Sequence, residues 1–306
     1  MADLKGSESK NYLDPKVLDS IKKLELRARL VVEGFVSGMH ESPYRGFSVE
    51  FAQHREYVPG DDIRFVDWKV YAKSDRIYIK EFEEETNVKA HLFVDQSESM
   101  SYGQERSKFD YAATCAAALA FLIQQQSDAV SLTLFDEAIT SQLVPSNSRA
   151  QLASIMHRLE EAKPTGKTKV ASILHEMAGR ITKRGVVILF SDLFDDPDAI
   201  LAGIRHLRHR GHDVLVFHVL DHDEVEFPFE RMTMFEGLEA MPELLADPKS
   251  LRDAYLAEIQ AFEQKMRRGC LAMRVDYQRI VTRQHLDIAL TTYLAKRAAM
   301  SKGKRR

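Results

Sequence analysis

The chain is poor in cysteine, has little excess charge and lacks a long apolar run, and each shortage removes a class of function. Two cysteines, Cys115 and Cys270, lie far apart. They form no disulfide framework and no metal-ligand spacing, and they suit a reducing compartment. Cys115 falls in an Ala-rich helical stretch and reads as a small core residue. No stretch approaches the ~20 apolar residues that span a bilayer. The longest, Cys115–Ile123, reads as part of a buried helix. Met1–Lys10 is polar, without the apolar segment of a secretory signal. A net charge of −3 on 306 residues gives no general attraction to nucleic acid or membrane. The basic end, Lys302–Gly303–Lys304–Arg305–Arg306, reads as a solvated tail. The expected setting is the cytoplasm. With 44% hydrophobic and 29% charged residues, the chain has the balance of a globular protein of one large or two modest domains.

Two regions follow from the patterning. Residues 1–87 form a lead-in. Asp14–Val36 has the period of an amphipathic helix. Three short segments, Ser48–Phe51, Arg64–Trp68 and Arg76–Phe82, have strand character, with Pro59–Gly60–Asp61–Asp62 as a turn among them. From 88 to about 300, strands and helices alternate. Strands are expected at Val88–Asp95, Ala129–Phe135, Ile139–Val144 (an antiparallel edge), Val186–Phe190, Asp213–Leu220 and Asp276–Thr282. Helices are expected at Lys108–Gln125, Arg149–Ala162, Val170–Lys183, Asp196–Arg210, Pro248–Arg268 and Leu286–Ala298. Gly185 is expected to stop the third of these, and 226–241 to form a hairpin. The fold class is therefore α/β, a doubly wound three-layer α/β/α sheet after a small helix-plus-strand region.

Candidate chemistry centres on Asp95–Gln96–Ser97–Glu98–Ser99. This Asp-x-Ser-x-Ser box directly follows the apolar run His91–Leu92–Phe93–Val94. It thus lies at the carboxyl end of a strand, where open α/β sheets place ligands. Carboxylate and hydroxyl oxygens are hard ligands that suit Mg²⁺ or Mn²⁺ rather than zinc. Two further groups fall on loops of the same edge. Thr168 follows Pro164–Thr165–Gly166–Lys167, with Thr165 on the same loop as an alternative. Asp192 ends the strand Val186–Phe190.

Strand, Asp-x-Ser-x-Ser, helix, loop Thr, then an apolar strand ending in Asp resembles the von Willebrand factor A domain, whose loops build a metal-ion-dependent adhesion site. The lead-in adds Tyr44–Arg45–Gly46, Tyr57, Pro59–Gly60–Asp61–Asp62, Asp67–Trp68 and Lys80–Glu81, then Glu83–Glu84–Glu85. Together these resemble the DUF58 family. The resemblance implies a short form of that family acting beside MoxR-type AAA+ ATPases in maturation or assembly of other proteins. It implies a bound Mg²⁺ (or Mn²⁺ or Ca²⁺). Ser97, Ser99 and Thr168 would ligate it directly or through water, while Asp95 and Asp192 hold waters and orient the hydroxyls. Neutral hydroxyls leave the ion's charge poorly quenched, so an acidic side chain of a protein partner can complete the octahedron. The implied function is non-enzymatic docking. The alternatives are a metal-independent interaction module and a Mg²⁺-dependent phosphohydrolase.

Other signals are weaker. Gly166–Lys167–Thr168 looks like the end of a P-loop, but Glu161 stands where the first Gly belongs and a helix precedes it. Asp95 as an aspartyl nucleophile lacks a second Asp two residues on, where Ser97 stands. His206, His209 and His212 lie among Arg205, Arg208 and Arg210, which oppose a metal. Arg45, Arg55, Arg64 and the run 81–85 read equally as a solvated face or a docking surface. Phe65, Trp68 and Tyr71 read as core of the lead-in.

Overall fold

Alternate residues of a strand point to opposite faces of its sheet, and in the central strands of this chain both sets are apolar. The computed structural model describes residues 23–39, 54–57, 70–71, 77–80, 88–104, 106–235, 237, 244–288, 290–293 and 295. Six strands form the main sheet: β3 (Lys89–Asp95), β4 (Ala129–Phe135), β5 (Ile139–Ser146), β6 (Val186–Ser191), β7 (Asp213–Leu220) and β10 (Asp276–Val281). Their order is β10-β7-β6-β3-β4-β5. All neighbours are parallel except β5, which pairs antiparallel with β4 at the edge. This is the doubly wound α/β sheet that the alternation predicts.

The two faces bury different residues of the same strands. Leu92, Val94, Ile188, Phe190, Leu215 and Phe217 pack in one core with helices α2 (Lys108–Gln125) and α3 (Arg149–Glu161). Phe93, Val187, Leu189, Val214 and Val216 pack in the other with α4 (Val170–Arg180), α5 (Pro197–His209) and α7 (Pro248–Ala272). Such wholly apolar strands are buried on both sides. Cys115 lies in the first core and Cys270 in the second, both as free thiols. No helix among the described residues is long and apolar enough to cross a membrane.

Local signals set the helix ends. Ser107, Ser148 and Asp196 each accept a backbone N–H of the helix they precede, and Pro197 opens α5. The short α6 (His222–Glu226) has a capping box, Asp221 with Glu224. A short antiparallel pair joins β8 (Thr233–Phe235) to β9 (Leu244–Ala246); β8 falls within the 226–241 expected as a hairpin, and β9 lies beyond it.

Contacts divide the chain into one unit of Met1–Glu41 with Val88–Arg306 and a second of Ser42–Asn87. The second carries β1 (His54–Glu56) paired antiparallel with β2 (Tyr78–Lys80). The lead-in expected as one region, 1–87, is thus not one body. Its helix α1 (Leu24–Met39) belongs to the larger unit. The cause is the apolar stripe Leu24, Ala28, Val31 and Val32, which is buried in the first core. Arg27 adds a bidentate bond to Asp110 of α2, at 2.8 and 2.7 Å.

Gly185 does not stop a helix, since α4 already ends at Arg180. It lies against β3, where a Cβ would collide with the Lys89 carbonyl oxygen. Gly179, inside α4, has open space around it. Gly185→Ala is expected to lower the unfolding free energy by about 1–3 kcal/mol through overpacking. Gly179→Ala should raise it by about 0.5–1 kcal/mol through helix propensity. Urea denaturation of the two variants reads both signs.

Candidate metal centre

The sheet order places β3 and β6 side by side while the chain leaves them in opposite directions, first to β4 and later to β7. Loops diverge at such a switch point and leave a crevice at the carboxyl ends of the strands. Asp95 is the last residue of β3, and Asp192 directly follows β6.

Asp95 is fully buried. A carboxylate there must be supplied with donors. Its Oδ1 accepts the Ser97 N–H at 2.9 Å, and its Oδ2 accepts the hydroxyls of Ser191 at 2.6 Å and Thr168 at 3.1 Å. Burial, with the Asp192 charge adding to it, raises the pKa of Asp95 above the usual carboxylate range, against the pull of these bonds.

Thr168 arrives because the chain crosses the end of the sheet. Helix α3 packs on one face and α4 on the other, so the linker between them passes over the strand ends. Two backbone bonds fasten it there: Glu98 N–H to Gly166 O at 2.8 Å and Thr165 N–H to Gln96 O at 2.9 Å. Gly166 takes the left-handed conformation, φ 75°, which favours glycine. The two threonines are placed differently. Thr168 is buried on Asp95, while Thr165 is exposed with its hydroxyl on the Lys163 carbonyl.

The Ser97 and Ser99 hydroxyl oxygens stand 3.1 Å apart. Neighbouring oxygens of an octahedral Mg²⁺ with bonds of about 2.0–2.1 Å stand about 2.9 Å apart. Thr168 gives its hydroxyl proton to Asp95, which fixes the position of its oxygen. The donors therefore fit a hard divalent cation: Ser97, Ser99 and Thr168 as ligands, Asp95 and Asp192 behind them. Among the described residues no group of three or more His, Cys, Asp or Glu is placed to hold a metal. An ion here would depend on the hydroxyls.

Asp192 has a partner that the sequence reading missed. Lys108 Nζ donates to its Oδ2 at 2.8 Å and to Glu224 Oε1 at 2.7 Å. The lysine side chain is only 2% exposed. Burial disfavours its ammonium, yet Asp192 and Glu224 outweigh that and raise its pKa. Burial also disfavours the Asp192 carboxylate, but Lys108 and a bond from Ser99 hold its pKa below the usual value. His218 donates from Nε2 to the Asp192 carbonyl at 3.0 Å and accepts from Tyr277 on Nδ1 at 2.6 Å. Burial pushes its pKa down to about 4, so the ring is neutral.

Two of these groups left traces in the sequence. Ser191 sits between Phe190 and Asp192, inside the motif itself. Lys108 opens a helix, where the macrodipole disfavours a cation, and this position makes sense only with acids beside it. Past Asp192, Leu193 has φ 57° and is fully buried, while Phe194 is 57% exposed at the rim. The left-handed turn sends one side chain inward and the next outward.

The three histidines do not converge. His212 is buried with its ring 6.4 Å from that of His91, whereas His206 meets His175 at 3.3 Å. Tyr71, expected in a core, is 39% exposed, as its polar hydroxyl permits. Arg45, Arg64, Phe65, Trp68, the 59–62 turn, the acidic run 81–85 and the basic tail lie outside the described residues, as does the Arg55 side chain.

A doubly wound sheet of this order, with Asp-x-Ser-x-Ser closing β3 and Thr168 and Asp192 beside it, defines a von Willebrand A-like domain. The chain belongs to the DUF58 family, described as "Protein of unknown function DUF58", which matches residues 53–265. Uncharacterized protein Rv1480 of Mycobacterium tuberculosis and uncharacterized protein Mb1516 of Mycobacterium bovis are each 27% identical over 277 residues, 86% of this chain and 86% of theirs. Among solved structures, the conserved hypothetical protein BatB from Bacteroides thetaiotaomicron is similar with a TM-score of 0.49 and 15% identity, over 70% of this chain and 99% of that one. The SpRpn10 VWA domain is similar with a TM-score of 0.38 and 12% identity, over 68% of this chain and 95% of that one.

Ser191→Ala removes the shortest bond to Asp95 and is expected to cost about 1–3 kcal/mol of stability, as loss of a buried charged hydrogen bond does. Thr165→Ala should change stability by less than about 0.5 kcal/mol, as an exposed substitution does. Paired urea melts compare them.

Proposed function

We propose that this chain is a non-enzymatic protein–protein interaction module whose docking depends on a divalent ion, Mg²⁺ in the first instance. It would act in the cytoplasm with a MoxR-type AAA+ ATPase, in chaperone-like maturation or assembly of other proteins. The observation that carries the reading is the grouping of Ser97, Ser99 and Thr168 hydroxyls around buried Asp95 at the switch point. The ion would supply an electrophilic point that a partner's carboxylate completes. The protein's own residues hold the hydroxyls in register and leave the ion's charge incompletely quenched.

Asp95 is poorly suited to nucleophilic attack, because both of its oxygens already accept hydrogen bonds. Ser97 stands where a phosphohydrolase of that type needs its second acid. Docking is therefore favoured over phosphate-ester hydrolysis. Phe194, exposed beside Asp192, supplies the aromatic anchor on which such an interface can centre. One observation supports a metal-independent module as the second reading: the Lys108 ammonium already sits on Asp192.

Capture of partners from native lysate tests the choice. The full chain should retain a MoxR-type ATPase with Mg²⁺ and lose it with EDTA or with Ser99→Ala. Phe194→Ala should weaken capture by about tenfold or more, as loss of a buried aromatic anchor does. Retention indifferent to EDTA and to Ser99→Ala would move the reading to metal-independent docking.

A further inference from the structure

We infer that Lys108 is a resident counter-cation of this site: its ammonium holds Asp192 in competition with the divalent ion and so sets how tightly the ion binds. The inference rests on the ion-dependent reading above and concerns its control.

The position of Lys108 is costly in two ways. It opens α2, with Ser107 as the cap, so its charge meets the positive end of the helix dipole. Its side chain is also removed from water. A lysine stays ionised in such a place only when held by acids. Two hold it, from separate parts of the chain: Asp192 after β6 at 2.8 Å and Glu224 of α6 at 2.7 Å.

Asp95, Asp192 and Glu224 put up to three negative charges at one buried end of the sheet. Lys108 neutralises part of that charge without any ion. A divalent cation arriving on Ser97, Ser99 and Thr168 enters the same field with the same sign as Lys108, and both draw on Asp192. Like charges in a buried site oppose one another strongly. Asp192 therefore cannot serve both cations fully, and the ion must weaken its bond to Lys108.

Glu224 gives the ammonium somewhere to stay. Its other oxygen, Oε2, accepts the Asp221 N–H at 2.7 Å, which fixes the carboxylate in the capping box of α6. Asp221 in turn accepts the Thr282 hydroxyl at 2.6 Å, at the end of β10. When Asp192 turns to the ion, Lys108 remains with Glu224 rather than unpaired. The competition is thus reversible, and it lowers the affinity of the ion without preventing binding.

The test is Mn²⁺ binding to the full chain, read from the electron paramagnetic resonance signal of free Mn²⁺. Folding is checked by circular dichroism. The variants are Lys108→Met and Lys108→Met/Glu224→Gln; the second removes the acid left behind, in case the single variant does not fold. The inference expects binding about tenfold tighter or more in whichever folded Lys108 variant is read. Addition of Ser99→Ala should abolish this gain. Lys167→Met, which removes the same charge from an exposed loop position, should stay within about twofold because solvent screens it. Folded Lys108 variants that bind Mn²⁺ no more tightly than wild type overturn the inference and leave the ion-dependent reading intact. An equal gain in Lys167→Met also overturns it. Absence of binding in every protein overturns both.

Discussion

A buried carboxylate is the constraint on which the functional end of this molecule depends. Asp95 has no water to solvate it, and an unsolvated charge is tolerated only when donors surround it. Those donors are the Ser97 amide and the Ser191 and Thr168 hydroxyls. They come from the loop after β3, the end of β6 and the crossing between α3 and α4. Satisfying one side chain therefore brings three segments to one place. The serine hydroxyls of the box are then adjacent as a consequence. The charge of Asp192, which would otherwise repel Asp95, is met by Lys108.

The topology makes this meeting possible. Because β3 lies between β4 and β6, the chain must pass from one face of the sheet to the other between α3 and α4. The crossing segment runs over the carboxyl ends of the strands and is tied down by bonds from Glu98 and Thr165. Gly166 makes the turn. At the other end of the strand, Gly185 lets the start of β6 approach Lys89 of β3 closely. Small residues thus bring the two strands of the switch point together, and polar residues occupy the opening between them.

The chemistry of the resulting site is what the proposed docking reading rests on. Its oxygens suit a hard ion, its central carboxylate is fully engaged, and an exposed Phe194 stands at its rim. Membership of the DUF58 family supplies no activity by itself. The functional reading accordingly rests on the side chains. Lys108 is the group that distinguishes the site from one built of hydroxyls and carboxylates alone. It places a fixed positive charge next to the location that a divalent ion would occupy.

Much of this was legible in the residue order. The unbroken apolar runs Leu92–Phe93–Val94 and Val186–Phe190 mark strands buried on both faces, and the box closing the first of them marks a strand-end site. Such patterns are local, because the direction of a side chain depends on its own segment. Other features were settled only by folding. The choice of Thr168 over Thr165 depends on which hydroxyl reaches Asp95, 73 residues away in sequence. Ser191 and Lys108 gained their roles in the same way, and Lys108 finds Asp192 across 84 residues. Helix α1 joined the larger unit because its apolar stripe had a face to cover there, although in sequence it stands next to the strands of the smaller one. The sequence by itself determined the strands, the helices and the edge where the chemistry gathers. The tertiary structure alone decided which charges and hydroxyls meet, since pairing between distant groups requires the sheet to be assembled and water to be excluded from around them.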